Sequence, residues 1–201
     1  MMEADRMSAV VLAGGYSSRM GRDKAELQLG EHSLIEWQVE KLKRLGIRDI
    51  MLSGYERPIN GCRSVQDIYP HRGPLSGIHA CLLASENESC LVLGVDMPLV
   101  PEKTVLTLIE AHQSGITVLI HGDRIEPLAA VYDRSLAQRA EEILRSEKTA
   151  IMRLMGSAEV TQVRYRGDER FLINCNTPED LAQVEAVWKE IQNSTDGLMF
   201  G

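Results

Sequence analysis

The sequence predicts an α/β chain, a three-layer α/β/α sandwich on a mostly parallel sheet. Three observations carry this. Short apolar runs of strand length alternate with longer stretches of helical period along most of the chain. The first run, Ala9-Val10-Val11-Leu12, contains no polar residue, which marks a strand buried on both faces, as in parallel sheets. Repeated strand–helix alternation packs helices on both sides of one sheet.

Taken in order, Ala9 to Leu12 is the first strand and a Gly-rich loop follows it. Ser33 with Glu36 forms a capping-box pattern, in which side chain and backbone satisfy each other's donors at a helix start. That helix carries Leu34, Trp37, Leu42 and Leu45 on one face and stops near Gly46. Ile50 to Leu52 is the second strand, Ser64 to Asp67 the third, and Gly77 to Leu83 a helix behind it. Leu91 to Val95 is the fourth strand and ends at Asp96. A helix after Pro101 carries Val105, Leu106 and Ile109, and Thr117 to Ile120 is the fifth strand.

Beyond residue 120 the pattern loosens. Pro127 to Tyr132 reads as a strand, Leu136 to Leu144 as a helix, and Val160 to Tyr165 as extended. Thr177-Pro178-Glu179-Asp180 opens the last helix, with a threonine cap, proline in the first helical position and acids in the first turn. Its buried side is Leu181, Val184, Val187, Trp188 and Ile191. The expectation is one domain over residues 1–193 and a frayed polar tail over 194–201.

Composition narrows the function. The chain has 201 residues, 44% of them apolar and only 4% aromatic, so Leu, Ile, Val, Ala and Met build the core. A net charge of −7 with no basic stripe excludes a general nucleic-acid binder. No apolar run approaches the length of a membrane span. Cys62, Cys81, Cys90 and Cys175 form no CxxC pair and read as free thiols of a reducing compartment, so a cytoplasmic location is expected.

The stretch from Leu12 to Lys24, LAGGYSSRMGRDK, is the most informative. Gly14 and Gly15 allow positive φ and close approach of a ligand to the backbone. Successive amides there can form an anion-binding nest. Ser17, Ser18, Arg19 and Lys24 add donors and two positive charges. Neither common phosphate loop fits. The glycines are adjacent, unlike GxGxxG, and Lys24 is followed by Ala25 instead of Ser or Thr. Ligands of open α/β sheets sit beyond the carboxyl ends of the strands, where the loops after Leu12 and Val95 both fall. The nucleotide-binding half is therefore expected to be N-terminal.

LAGGxSSRMGxDK resembles the N-terminal motif of the molybdenum cofactor guanylyltransferases, the MobA family of the nucleotide-diphospho-sugar transferase fold. Three further elements continue the resemblance in order: Asp67…Gly73-Pro74-Leu75-Ser76-Gly77-Ile78, Val95-Asp96-Met97-Pro98, and Asn174-Cys175-Asn176-Thr177-Pro178-Glu179-Asp180-Leu181. Glu126-Pro127-Leu128-Ala129-Ala130-Val131-Tyr132 is similar to the family's (E/H)PxxAxY strand, which lines the acceptor side. The resemblance implies nucleotide binding by Leu12, Ala13, Gly14, Gly15, Lys24, Asp67 and Asp96, with Lys24, Arg19 and Asp96 catalytic and Mg²⁺ on Asp96.

The residues support this physically. A carboxylate at the end of a buried apolar strand is expensive unless paired or metal-bound. Mg²⁺ needs only one or two carboxylates beside water and phosphate oxygens. Asp67 offers acceptors for a guanine N1–H and amine, a donor pair cytosine lacks, although an aspartate in a turn also bonds its own backbone. Asn174 and Asn176, at alternate positions of an extended strand, point the same way. One of them, Asn176, is expected to complete the metal or phosphate site. His71, His121, Arg164, Arg166 and Arg170 have two readings, contact with an anionic acceptor or structural and solvated surface groups.

The reaction implied by the resemblance is GTP plus molybdenum-bound molybdopterin giving molybdopterin guanine dinucleotide and pyrophosphate. The implied partners are GTP, molybdopterin, and molybdoenzyme apoproteins or their chaperones. Cytidylyl transfer, transfer to a sugar phosphate, and a non-catalytic pterin-delivery role are the competing readings. An intact Lys24 and Asp96 argue against the last.

Overall fold

In a computed structural model of the chain, residues 6–13, 23–146 and 149–193 are described. The first half runs β1 (Ser8–Leu12), β2 (Gln28–Leu29), β3 (His32–Ser33), α1 (Leu34–Arg44), β4 (Asp49–Ser53), β5 (Cys62–Val65), α2 (Pro74–Ala84) and β6 (Ser89–Gly94). The second half runs α3 (Glu102–Ala111), β7 (Ile116–His121), β8 (Arg124–Asp133), α4 (Ala137–Arg145), α5 (Ile151–Met155), β9 (Val160–Arg164) and α6 (Pro178–Asn193).

Seven strands form one sheet in the order β5-β4-β1-β6-β8-β7-β9. β1 pairs in parallel with β4 and β6, so it is buried along its whole length. Period-two alternation then sends its side chains to opposite layers. Ala9 and Val11 pack with α1, α3 and α6, whereas Val10 and Leu12 pack with α2, α4 and α5. The fold is the three-layer sandwich expected. Only β8 runs against the others, antiparallel to both β6 and β7.

Local signals explain most boundaries. At the start of α1 the capping box is complete, with Ser33 N donating to Glu36 Oε2 at 2.8 Å and Glu36 N to Ser33 Oγ at 3.4 Å. The third strand lies at Cys62–Val65, two residues earlier than the sequence suggests, and Asp67 follows it in a loop. α2 begins at Pro74 instead of Gly77, because Gly73 takes φ 76° and hands the chain to a proline suited to a first helical turn. The segment 173–176 is not a strand. The β2–β3 hairpin escaped the sequence reading because two-residue strands carry no measurable period. Its turn residue Gly30 has φ 65°, and a Cβ there would lie 2.6 Å from the Trp188 ring. Trp188 in turn meets Trp37 edge-on.

Two polar residues lie on the buried side of α1. Gln38 and Lys41 are both fully buried beside Leu34, Leu42 and Leu45. Lys41 Nζ donates to Pro98 O at 2.8 Å, and burial pulls its pKa from 10.5 down to about 7. Unfolded chain therefore holds this proton up to about 10.5 while the native protein releases it near 7, so stability rises with pH across that window. Lys41→Met removes the effect, and Pro98 O keeps a donor in Trp37 Nε1. Thermal melts of both proteins should show the variant gaining most on the wild type at pH 6.5, with the gain shrinking toward pH 9.5. A difference that does not change with pH contradicts the assignment.

Candidate active site

The exits of β1, β4 and β6 are drawn together by backbone bonds. Ala13 N donates to Ser53 O at 2.9 Å and Val95 N to Leu12 O at 3.0 Å. Leu12 and Ala13 thus leave the sheet at the same mouth as Asp96. Of the remaining first-loop residues, Gly14, Gly15 and Arg19 lie outside the described residues, and so does the 194–201 tail.

Asp96 sits on a loop held from two sides. From α1, Gln38 Nε2 donates to Gly94 O (2.8 Å) and Met97 O (3.1 Å), and Trp37 and Lys41 both donate to Pro98 O. From the opposite side, Cys175 N donates to Asp96 O at 2.7 Å. A Cβ on Gly94 would lie 2.4 Å from Asp96 Oδ1, so only glycine lets the carboxylate fold back over the strand end. Burial raises the Asp96 pKa above the ordinary carboxylate value, while Lys24 and then Arg124 pull it down. The two cations do not fully offset the burial.

Lys24 opens a 3-10 turn capped by Asp23, whose Oδ1 accepts from Ala25 N at 3.0 Å. Its ammonium donates to Asn176 Oδ1 at 2.7 Å. Asn176 is held in turn by its own amide, which donates to Asp180 Oδ2 at 2.9 Å in the cap of α6. Asn174 is the asparagine that meets the aspartate. With its amide oriented to satisfy both neighbours, Nδ2 donates to Asp96 Oδ2 (3.2 Å) and Oδ1 accepts from Arg124 Nη2 (3.0 Å). The two asparagines therefore serve different partners instead of pointing to one.

The Glu126–Tyr132 motif forms a β-bulge. Val118 pairs with Ala130 but Leu119 with Glu126, so residues 127–129 are extra on β8. Tyr132, buried in the core, donates to Pro127 O at 2.8 Å and braces the bulge. Glu126 is thereby turned inward, where it accepts from Arg124 Nε (2.7 Å) and meets His121 Nε2 (2.9 Å).

Asp67 lies half-buried past β5 and accepts from Ser53 Oγ at 3.4 Å, which ties it to the exit of β4. His71 is exposed, with φ 63°. Arg170 is paired with Asp168 and Glu190, both at 2.7 Å. Arg164 and Arg166 line a groove between α3 and β9. Arg124, Gln38 and Lys41 were missed in the sequence. A signal existed for the last two, since polar residues there occupy core positions of the α1 period.

Among the described residues, no three His, Cys, Asp or Glu side chains converge as a metal cage. All four cysteines are free, and no described helix is long and apolar enough to cross a membrane.

A mostly parallel sandwich that brings a lysine and a part-buried aspartate to the mouth of its central strands fits a nucleotidyltransferase. The chain belongs to the MobA-like NTP transferase domain family, whose model matches residues 9–163. It is 32% identical to a probable molybdenum cofactor guanylyltransferase of Pelotomaculum thermopropionicum, covering 96% of this chain and 97% of that one. A probable molybdenum cofactor guanylyltransferase of Peptoclostridium acidaminophilum is 33% identical, covering 91% and 90%. Among solved structures, molybdopterin-guanine dinucleotide biosynthesis protein A from Archaeoglobus fulgidus superposes with a TM-score of 0.73 at 25% identity, covering 91% and 99%.

Gln38→Leu keeps the core filled but removes the side-chain donor from Gly94 O and Met97 O, each of which keeps one long backbone bond of 3.4 Å. The two lost side-chain bonds, at about 0.5–1.5 kcal/mol each, should lower the unfolding free energy from urea titration by about 1–3 kcal/mol. An unchanged unfolding free energy would show that the Asp96 loop does not depend on Gln38.

Proposed function

We propose that the protein is a cytoplasmic molybdenum cofactor guanylyltransferase acting as one domain over residues 1–193. It transfers GMP from GTP to molybdenum-bound molybdopterin, forming molybdopterin guanine dinucleotide and pyrophosphate. The observation that carries the reading is the convergence of Lys24 and Asp96 at one mouth, in a chain whose relatives bear that name over nearly their whole length. Molybdoenzyme apoproteins or their chaperones would take the product.

GTP would lie over the loop from Leu12 to Lys24, with the Gly14 and Gly15 amides and Arg19 on its phosphates. The acceptor's terminal phosphate attacks the α-phosphorus in line. One P–O bond forms to the acceptor as the α-phosphorus bond to the bridging oxygen of the β-phosphate breaks, and pyrophosphate leaves with that electron pair. A phosphomonoester with a second pKa of about 6 is already nucleophilic at neutral pH, so no general base is needed. Catalysis is then positioning and charge stabilisation. Lys24, aimed by Asn176, neutralises charge growing on the α-phosphate and the leaving group.

The residues fit a divalent ion of the magnesium kind. Asp96 is a part-buried carboxylate whose flanking cations leave its desolvation incompletely offset, and among the described residues no dense acidic cage surrounds it. Asp96 would hold Mg²⁺ with the Asn176 carboxamide as a second donor, and Asn174 would orient the carboxylate. When bound, the ion supplies charge neutralisation on the phosphate oxygens.

Asp96→Ala and Lys24→Ala should each lower kcat/KM by a factor on the order of 100 or more, as when a preorganised charge is removed. Pyrophosphate release from GTP, Mg²⁺ and molybdopterin reads this directly, and near-normal turnover removes the residue from its role. Asp67→Ala should narrow the preference for GTP over CTP in competition. A preference left unchanged places base recognition elsewhere.

A further inference from the structure

Asp96 is flanked by cations from the strands on either side of β6. Lys24 comes from the turn after β1 and Arg124 from the first residue of β8, while β6, which leads to Asp96, lies between those two strands. β8 is antiparallel, so its first residues reach the same end of the sheet as the exits of β1 and β6. An in-line displacement places nucleophile and leaving group on opposite sides of the phosphorus. If the triphosphate lies on the β1 side, the attacking group enters from the β8 side, where Arg124 stands.

The guanidinium is held in a fixed pose. Nε donates to Glu126, whose carboxylate is buried, and Nη2 donates to Asn174, which also holds Asp96. Glu126 is there because the bulge turns it inward, and His121 Nε2 meets the same carboxylate oxygen that Arg124 does. Yet the Arg124 side chain is 59% exposed. A buried carboxylate that anchors one edge of an exposed guanidinium leaves the rest of the fork facing solvent above Asp96. Such a fork matches phosphate oxygens, and preorganisation lowers the ordering cost of binding.

We infer that Arg124 is the acceptor-phosphate site, binding the attacking group as a phosphomonoester dianion and aiming it at the α-phosphorus. This rests on the guanylyl-transfer reading above. Glu126 and His121 are positioning residues that act through Arg124.

The test compares wild type, Arg124→Gln and Arg124→Lys, each as the full chain. Pyrophosphate release is measured against molybdopterin at saturating GTP and Mg²⁺, and GTP binding with Mg²⁺ is measured separately by calorimetry. Charge-assisted hydrogen bonds of about 1.5–3 kcal/mol convert to an acceptor KM raised about 10- to 100-fold for Arg124→Gln. Arg124→Lys, which keeps the charge but not the fork, should lose less, and it carries the test if Arg124→Gln does not fold. GTP affinity should stay within about twofold, because the defect lies on the acceptor side. An unmoved acceptor KM overturns the inference, as does a GTP affinity that falls by the same factor, which would mean that Arg124 acts only through Asp96. Wild-type protein that releases no pyrophosphate overturns the guanylyl-transfer reading itself and the inference with it.

Discussion

Asp96 puts a negative charge at the end of a strand whose residues Cys90 to Gly94 are all buried, and much of the surrounding structure answers to that charge. A carboxylate in such surroundings is costly without compensation. Gly94 has no Cβ because the carboxylate occupies its space, and α1 spends two buried polar side chains on the loop carbonyls. Asn174 donates to the carboxylate, and Lys24 and Arg124 bring positive charge from either side. A cation at the carboxylate would offset the remaining cost.

The chain as a whole is acidic. The net charge of −7 gives no long-range attraction for phosphate. Many arginines away from the mouth are paired: Arg63 with Asp49, Arg44 with Glu102, Arg145 with Glu141, and Arg170 with Asp168 and Glu190. Near Asp96, Lys24 and Arg124 supply positive charge locally.

The reversal of β8 links the two halves of the site. A parallel strand beside β6 would start at the far end of the sheet, away from Asp96. Running antiparallel, β8 begins at the mouth, and its hairpin with β7 delivers His121, Arg124 and Glu126 together. The bulge opposite Leu119 then faces Glu126 inward, where it accepts from Arg124.

Much of this was legible in the chain itself. Uninterrupted apolar runs marked the central strands, and capping residues marked α1 and α6, because these signals depend only on near neighbours in sequence. Asp96 could be singled out for the same reason, as a charge ending an apolar run. The direction of β8 was not legible, since side-chain alternation is the same in a parallel and an antiparallel strand. Nor were the different tasks of Asn174 and Asn176. These are set by a non-strand segment whose neighbours, Lys24, Asp96 and Arg124, lie 50 or more positions away along the chain. Local pattern determined which elements form and which residues carry charge. Only tertiary packing decided which charges meet, because burial and long-range pairing exist only once distant segments share one mouth.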